Sequence, residues 1–160
     1  MISTDDLTRL RRCVSLATEA LDGGDEPFGS ILVNRRGTEL FADQNHVAGG
    51  DHTRHPEFEI ARWAATNLTP EERRTAVVYT SGEHCPMCAA AHGWVGLGRI
   101  VYAASSAQLA GWLAEWGVAP APVATLSITT VVPTAQVDGP APELTDEMRA
   151  LYREAFTPNR

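Results

Sequence analysis

Three cysteines in 160 residues are too few for a disulfide framework. Two of them share the run Cys85-Pro86-Met87-Cys88. The third, Cys13, lies in a stretch of helical spacing, where a thiol serves as a small buried hydrophobe. Long apolar runs are absent as well: each is interrupted before the roughly 20 residues that a spanning helix needs. The opening Met1-Ile2-Ser3-Thr4-Asp5-Asp6 lacks the positive-then-apolar order of a secretory signal. These absences predict a cytoplasmic protein. Basic charge is scarce too, with 13 Lys+Arg against 20 Asp+Glu and a net charge of −7. Polyanions bind basic faces, so nucleic acid and membranes are not expected as partners. The pairs Arg11-Arg12, Arg35-Arg36 and Arg73-Arg74 read as solvated helix ends and turns.

The remaining composition, 44% hydrophobic and 21% charged, is that of globular material, and the length suits one domain over residues 1–160. Ser3 with Asp6 forms a capping-box pattern ahead of Leu7, Leu10, Val14, Ala17 and Leu21, predicting a helix that ends at Asp22-Gly23-Gly24. Residues 28–34 read as a strand, 35–38 as a hairpin turn and 39–44 as the partner strand. A polar loop over 45–54 precedes a helix over 56–67, which Thr69-Pro70 breaks. Residues 76–80 are a short apolar run, read as a buried strand leading to Cys85. A helix over 86–94, with Trp94 assigned to the core, and a strand over 100–104 follow. Leu109, Trp112, Leu113 and Trp116 form a helical stripe, either core or a dimer face. Residues 123–132 alternate as a final strand, and 133–143 read as a stiff, proline-rich connection. An amphipathic helix over about 144–156 ends the chain. The alternation predicts an α/β fold: a three-layer α/β/α domain around a central mixed sheet of about five strands.

Chemistry concentrates at His55-Pro56-Glu57 and at Cys85-Pro86-Met87-Cys88. Proline favours the first helical position, so each run predicts a helix start. Cys85 and Cys88, three apart, then share a face at a helix N-terminus, where backbone N–H groups stabilise thiolates. His55 opens the other helix, and at a first turn Glu57 reaches the same metal. Three ligands, an open fourth position and an adjacent acid describe a catalytic zinc site. A second reading stays open: His92, four residues after Cys88, could complete a structural Cys2His2 site with His55, giving an interaction module without enzymatic activity. A redox Cys-x-x-Cys would leave His-Pro-Glu unexplained.

The pattern H-x-E…P-C-x-x-C marks zinc-dependent nucleobase deaminases, and the chain resembles the cytidine and deoxycytidylate deaminase superfamily over about residues 5–105. Glu26-Pro27-Phe28-Gly29-Ser30-Ile31-Leu32-Val33 resembles the family's first strand, Asp51-His52-Thr53-Arg54-His55 its approach to the histidine, and Thr80-Ser81-Gly82-Glu83-His84-Cys85 its approach to the cysteines. The resemblance implies Zn2+ on His55, Cys85 and Cys88, with Glu57 moving protons while water displaces ammonia. It places Asn45 where the family keeps a substrate-binding asparagine, and makes Phe28 a stacking or core residue. His84 replaces the usual proline, which makes it a candidate neighbour of the base. Glu83 is expected to accept backbone N–H groups near the ligand turn. The motif context is most similar to the guanine and cytosine deaminases, implying a free aminated base as small-molecule substrate: guanine, cytosine, isocytosine or an amino-triazine. Ser105-Ser106 stand where the guanine branch tends to carry acids, which keeps the smaller rings open. A tRNA adenosine or nucleoside/nucleotide substrate is the alternative. A homodimer is expected.

Overall fold

The computed structural model describes residues 1–157. The capping box forms as the sequence predicts. Ser3 Oγ accepts the Asp6 N–H at 3.1 Å, and the Asp6 carboxylate accepts the Ser3 N–H at 2.9 Å. They start α1 (Thr4–Asp22), which presents Leu10, Cys13, Val14 and Ala17 as one buried stripe. β1 (Gly29–Val33) and β2 (Glu39–Gln44) form the expected hairpin, and β3 (Val77–Gly82) pairs antiparallel on the other side of β1. β4 (Arg99–Ala104) and β5 (Val137–Asp138) continue the sheet in parallel, for an order β2-β1-β3-β4-β5.

Every residue of β1 is buried because helices cover both faces of the sheet. Ile31, Val33, Tyr79 and Val101 face α1 and the C-terminal α7 (Thr145–Phe156), with the partly buried Leu109 and Trp112 of α5 (Ser106–Glu115) closing that layer. Leu32 and Val78 face the other way, toward α2 (Pro56–Asn67) and the Leu97 turn. Ile100 and Tyr102 pack on Ala89 of α4 (Pro86–Val95) and Ile128 of α6 (Ile128–Val131). Because side chains alternate across a strand, Ser30 and Thr80 fall on the α2 side with Leu32 and Val78. Glycine is required where α1 presses on the start of β1: a Cβ on Gly29 would lie 2.4 Å from Leu16 Cβ and 2.5 Å from the Cys13 carbonyl oxygen.

Below the sheet, Asp6 is 4% exposed and saturated with donors. Arg99 grips it with two nitrogens at 2.9 and 3.0 Å, and Tyr79 Oη donates at 2.8 Å. Burial alone would raise this carboxyl; Arg99, Ser3 and Tyr79 together hold it well below the usual carboxylate range. Arg99 Nε also donates to Asp138 of β5 at 2.8 Å, tying the start of α1 to the edge strand.

Three expectations need correction. The last strand is not at 123–132 but at Val137–Asp138, inside the stretch read as a connection. The edge of β4 is occupied by Val137 and Asp138, so Val123 and Leu126, with no strand to pair, stay exposed. Downstream, the Ile128 N–H is held by Glu83 and the chain turns into α6 instead. Pro70 does not merely break α2; it sits in the first turn of a short α3 (Pro70–Thr75), capped by Thr69 with Glu72. Trp94 is 91% exposed rather than core. The buried side of α4 is Cys88, Ala89 and His92, and a residue six positions after Cys88 points away from it.

Candidate active site

Both ligand-bearing runs fold as helix N-termini, with Pro56 and Pro86 in the first turns. His55 and Cys85 are the N-cap residues, extended at φ −91° and −66°, and neither side chain caps its own helix. They are therefore free to turn toward each other. β3 and the turn after Gly82 deliver Cys85, and one helical turn brings Cys88 onto the same side.

The three ligand atoms converge. Cys85 Sγ and Cys88 Sγ each lie 3.6 Å from His55 Nδ1, and the two sulfurs are 3.5 Å apart. A tetrahedron with zinc–sulfur and zinc–nitrogen distances of about 2.3 and 2.0–2.1 Å has edges of about 3.8 Å (S–S) and about 3.6 Å (N–S). The observed triangle fits that cation. It does not fit a disulfide, and all three cysteines are free. Among the described residues this is the one group of three or more such ligands that closes on itself. The Cys85 thiol is pulled toward thiolate by its hydrogen bond with Cys88 and then by His55, while the same contact, with burial, pushes the Cys88 thiol up. His55 is raised in turn, first by Cys85 and then by the charge of Glu57.

Glu57 is 5% exposed and lies beside the triangle, with Oε2 3.9 Å from Cys88 Sγ. Its other oxygen is held from below: Thr80 Oγ1 donates to Oε1 at 2.7 Å and Ser30 Oγ at 3.0 Å. Burial raises this carboxyl, while His55 and the Thr80 hydrogen bond oppose the rise. A carboxylate so poised beside a metal can take a proton and return it.

Asn45 is 1% exposed; its Oδ1 accepts the Val47 N–H at 3.0 Å, and its Nδ2 has no partner. Its backbone N–H donates to the Phe28 carbonyl at 3.0 Å, which joins the Asn45 loop to the start of β1. Phe28 is half-buried, with its ring 5.4 Å from that of Tyr152 on α7. Both crowd Gly82, where a Cβ would meet Tyr152 Oη at 2.8 Å and Phe28 Cε1 at 2.9 Å. Tyr152 itself is raised by burial and then by the charges of Glu57 and Glu26, and its contacts bring α7 to the end of β3 and the start of β1.

His84 is buried with both ring nitrogens unpartnered, and its ring contact is with His92, centroids 5.5 Å apart, rather than with Glu57 or a ligand. His92 does not join the metal group. Its Nε2 lies 2.9 Å from the Gly98 carbonyl, and since a carbonyl only accepts, Nε2 carries the proton and donates. The Cys2His2 arrangement is therefore not formed. Glu83 accepts the Ser106 and Ile128 N–H groups at 2.9 and 3.0 Å, the backbone role expected of it.

Sequence reasoning missed Ser30, Thr80 and Tyr152. The two hydroxyls stand in runs that carry the family resemblance, and their signal was strand alternation: each is two positions from a core residue of the α2 face. Tyr152 was visible only as one more apolar position of the last helix.

Residues 3–104 match the cytidine and deoxycytidylate deaminase zinc-binding region. The chain belongs to that family. A probable cytosine deaminase of Schizosaccharomyces pombe is 33% identical over 111 residues, which cover 68% of this chain and 65% of that protein. Guanine deaminase of Bacillus subtilis is 35% identical over 105 residues, 64% of this chain and 67% of that protein. The chain thus matches about two thirds of the length of these curated relatives. Guanine deaminase from Nitrosomonas europaea superposes with a TM-score of 0.68 at 20% identity, over 97% of this chain and 85% of that one, a likeness of fold. No helix of the described residues is long and apolar enough to cross a membrane.

Proposed function

We propose that this protein is a zinc-dependent hydrolytic deaminase of a free aminated nucleobase or related N-heterocycle. One observation carries the reading: a buried carboxylate, Glu57, flanks a His-Cys-Cys triangle of zinc dimensions to which no fourth described side chain contributes. His55, Cys85 and Cys88 would hold the metal. When bound, zinc supplies a Lewis acid that lowers the pKa of water to about 7. Glu57 takes a proton from the attacking water and places it on the ring nitrogen next to the aminated carbon. A C–O bond forms there. Glu57 then passes the second water proton to the amine as the C–N bond breaks, so the products are the ring carbonyl and ammonia.

Three features support a free base. The net charge of −7 disfavours a polyanionic strand. The unpartnered Asn45 Nδ2 is a buried donor awaiting a ring acceptor, and Phe28 offers a face to stack on. Tyr152 brings α7 against Gly82 at the end of β3, which in this reading narrows the site to a ligand no larger than a base. The two curated relatives are named for cytosine and guanine. Here Ser105 caps α5 and Ser106 donates its N–H to Glu83, so neither offers an acid to a guanine edge. In this reading the protein is a single-domain, cytoplasmic homodimer. His84, next to Cys85 and with both ring nitrogens unpartnered, stays a candidate neighbour of the base.

The test is ammonia release by the zinc-loaded protein from guanine, cytosine, isocytosine and amino-triazines, beside cytidine, dCMP and an adenosine-containing tRNA stem-loop. Turnover of a free base is expected. Turnover confined to the last three substrates overturns the free-base reading, and bound zinc with no turnover of any of them overturns the deaminase.

A further inference from the structure

Ser30 and Thr80 are cross-strand partners in the antiparallel β1–β3 pair, and both are fully buried. Their hydroxyls point to the α2 face, where Glu57 descends from the first turn of the helix. Thr80 Oγ1 lies 2.7 Å and Ser30 Oγ 3.0 Å from Glu57 Oε1, and the two hydroxyl oxygens are 2.8 Å apart. Two donors occupy the lone-pair directions of one carboxylate oxygen. Oε2 receives neither hydroxyl and faces Cys88 on the metal side.

We propose that Ser30 and Thr80 are positioning residues, a two-hydroxyl clamp that occupies Oε1 of Glu57 and leaves Oε2 as the oxygen that carries protons. The assignment rests on the deaminase reading above and adds to it which atom works and what holds that atom in place. With Oε1 already accepting from both hydroxyls, the oxygen left toward the metal side to receive a proton is Oε2, which lies 3.9 Å from the Cys88 sulfur. The hydroxyls have further acceptors within reach: the Thr80 proton can turn to the Gly82 carbonyl at 2.9 Å, and the Ser30 proton to Thr80 Oγ1. Neither charge state of Glu57 therefore leaves a buried hydroxyl stranded. The clamp also fixes the carboxylate plane, because two donors on one oxygen resist rotation about the last side-chain torsion. A carboxylate free to turn would present Oε1 and Oε2 alternately and lose the alignment that proton transfer requires.

The blander account is that the hydroxyls merely satisfy a buried carboxylate for the sake of the fold. Kinetics of the zinc-loaded enzyme on the best base of the panel separate the two. Ser30→Ala and Thr80→Val should each lower kcat by about 10- to 100-fold, the range for one hydrogen bond to a charged group, with KM changed by less than about threefold. Thr80→Ser, which keeps the hydroxyl, should stay within about threefold of wild type. In a Glu57→Gln background the same substitutions should lower the residual rate by no more than about twofold, because their effect passes through the carboxylate. An unchanged kcat in Thr80→Val, or an equal loss in the Glu57→Gln background, overturns the clamp. A thermal-unfolding cycle of Thr80→Val with Glu57→Ala reads the contact without substrate; less-than-additive losses are expected, and additive losses overturn it. An inert wild type whose cycle still couples overturns the deaminase reading and leaves the hydroxyl–carboxylate contact standing.

Discussion

Replacing Glu57 by glutamine exchanges one carboxylate oxygen for an amide nitrogen and changes almost nothing else in volume. The amide oxygen can occupy the Oε1 position and still accept from Thr80 at 2.7 Å and Ser30 at 3.0 Å. That leaves Nε2 toward Cys88 Sγ, where the carboxylate oxygen stood at 3.9 Å. An amide N–H can donate to a thiolate there, so neither the fold nor the ligand triangle loses a partner. The stability change should stay within about 1 kcal/mol, or about 2–4 °C in Tm for a domain of this size. Zinc content should remain one per chain. Turnover is another matter, because the amide nitrogen cannot take up a proton. One positioned proton transfer is worth about 100- to 10,000-fold, and Glu57 is asked to handle two protons per cycle. The loss should therefore reach about 10,000-fold, or roughly 5.4 kcal/mol of transition-state stabilisation. The assay is ammonia release under saturating base, with zinc by elemental analysis and Tm on the same preparations. A variant that keeps zinc and fold together with a tenth of wild-type kcat would refute the role assigned to Glu57.

Cys88→Ala should abolish zinc binding and lower Tm, because ligand assembly contributes to folding. His92→Ala should keep one zinc per chain, its ring being committed to the Gly98 carbonyl; elemental analysis of both variants decides, and an empty site in His92→Ala would restore the structural-zinc reading. Asp6→Asn breaks a contact in which Arg99 is only 26% exposed, and should cost about 2–4 kcal/mol by urea unfolding at pH 7. Because the folded pKa of Asp6 is depressed, its stabilisation is complete above the unfolded value of about 4 and is lost as pH falls through the lower folded value. The acid limb of the stability profile should accordingly flatten in Asp6→Asn, and an unchanged limb would contradict the assignment. Gly82→Ala places a methyl 2.8 Å from Tyr152 Oη and should cost about 1–3 kcal/mol by overpacking, with a matching fall in kcat/KM as α7 lifts; a variant as stable and active as wild type would show that α7 does not press on β3.

The ligand set was legible in the chain because it is local chemistry. Two prolines each set a helix start one residue after a metal ligand, Glu57 falls in the first turn of one helix and Cys88 in that of the other, so short-range geometry alone puts all four working groups on two helix ends. The capping box of α1, the hairpin and the covered strands were equally local, written in side-chain alternation and cap chemistry. What no local rule contained was pairing at a distance. Residues 123–132 alternate well enough for a strand, yet a strand needs a free edge, and only the assembled sheet shows that the edge of β4 goes to Val137 and Asp138. Trp94 looked apolar enough for the core, but which side of α4 is covered depends on where α2 and α6 lie. The same holds inside the site. His92 had the right spacing for a ligand and was drawn instead to the Gly98 carbonyl. Ser30 and Thr80, 50 residues apart, meet over Glu57 only because the β1–β3 register sets them side by side. The sequence by itself determined which residues could bind the metal and move a proton; the register of two strands and the packing of two helices decided which oxygen is held, which histidine is excluded and which aromatic packs on Phe28 and Gly82.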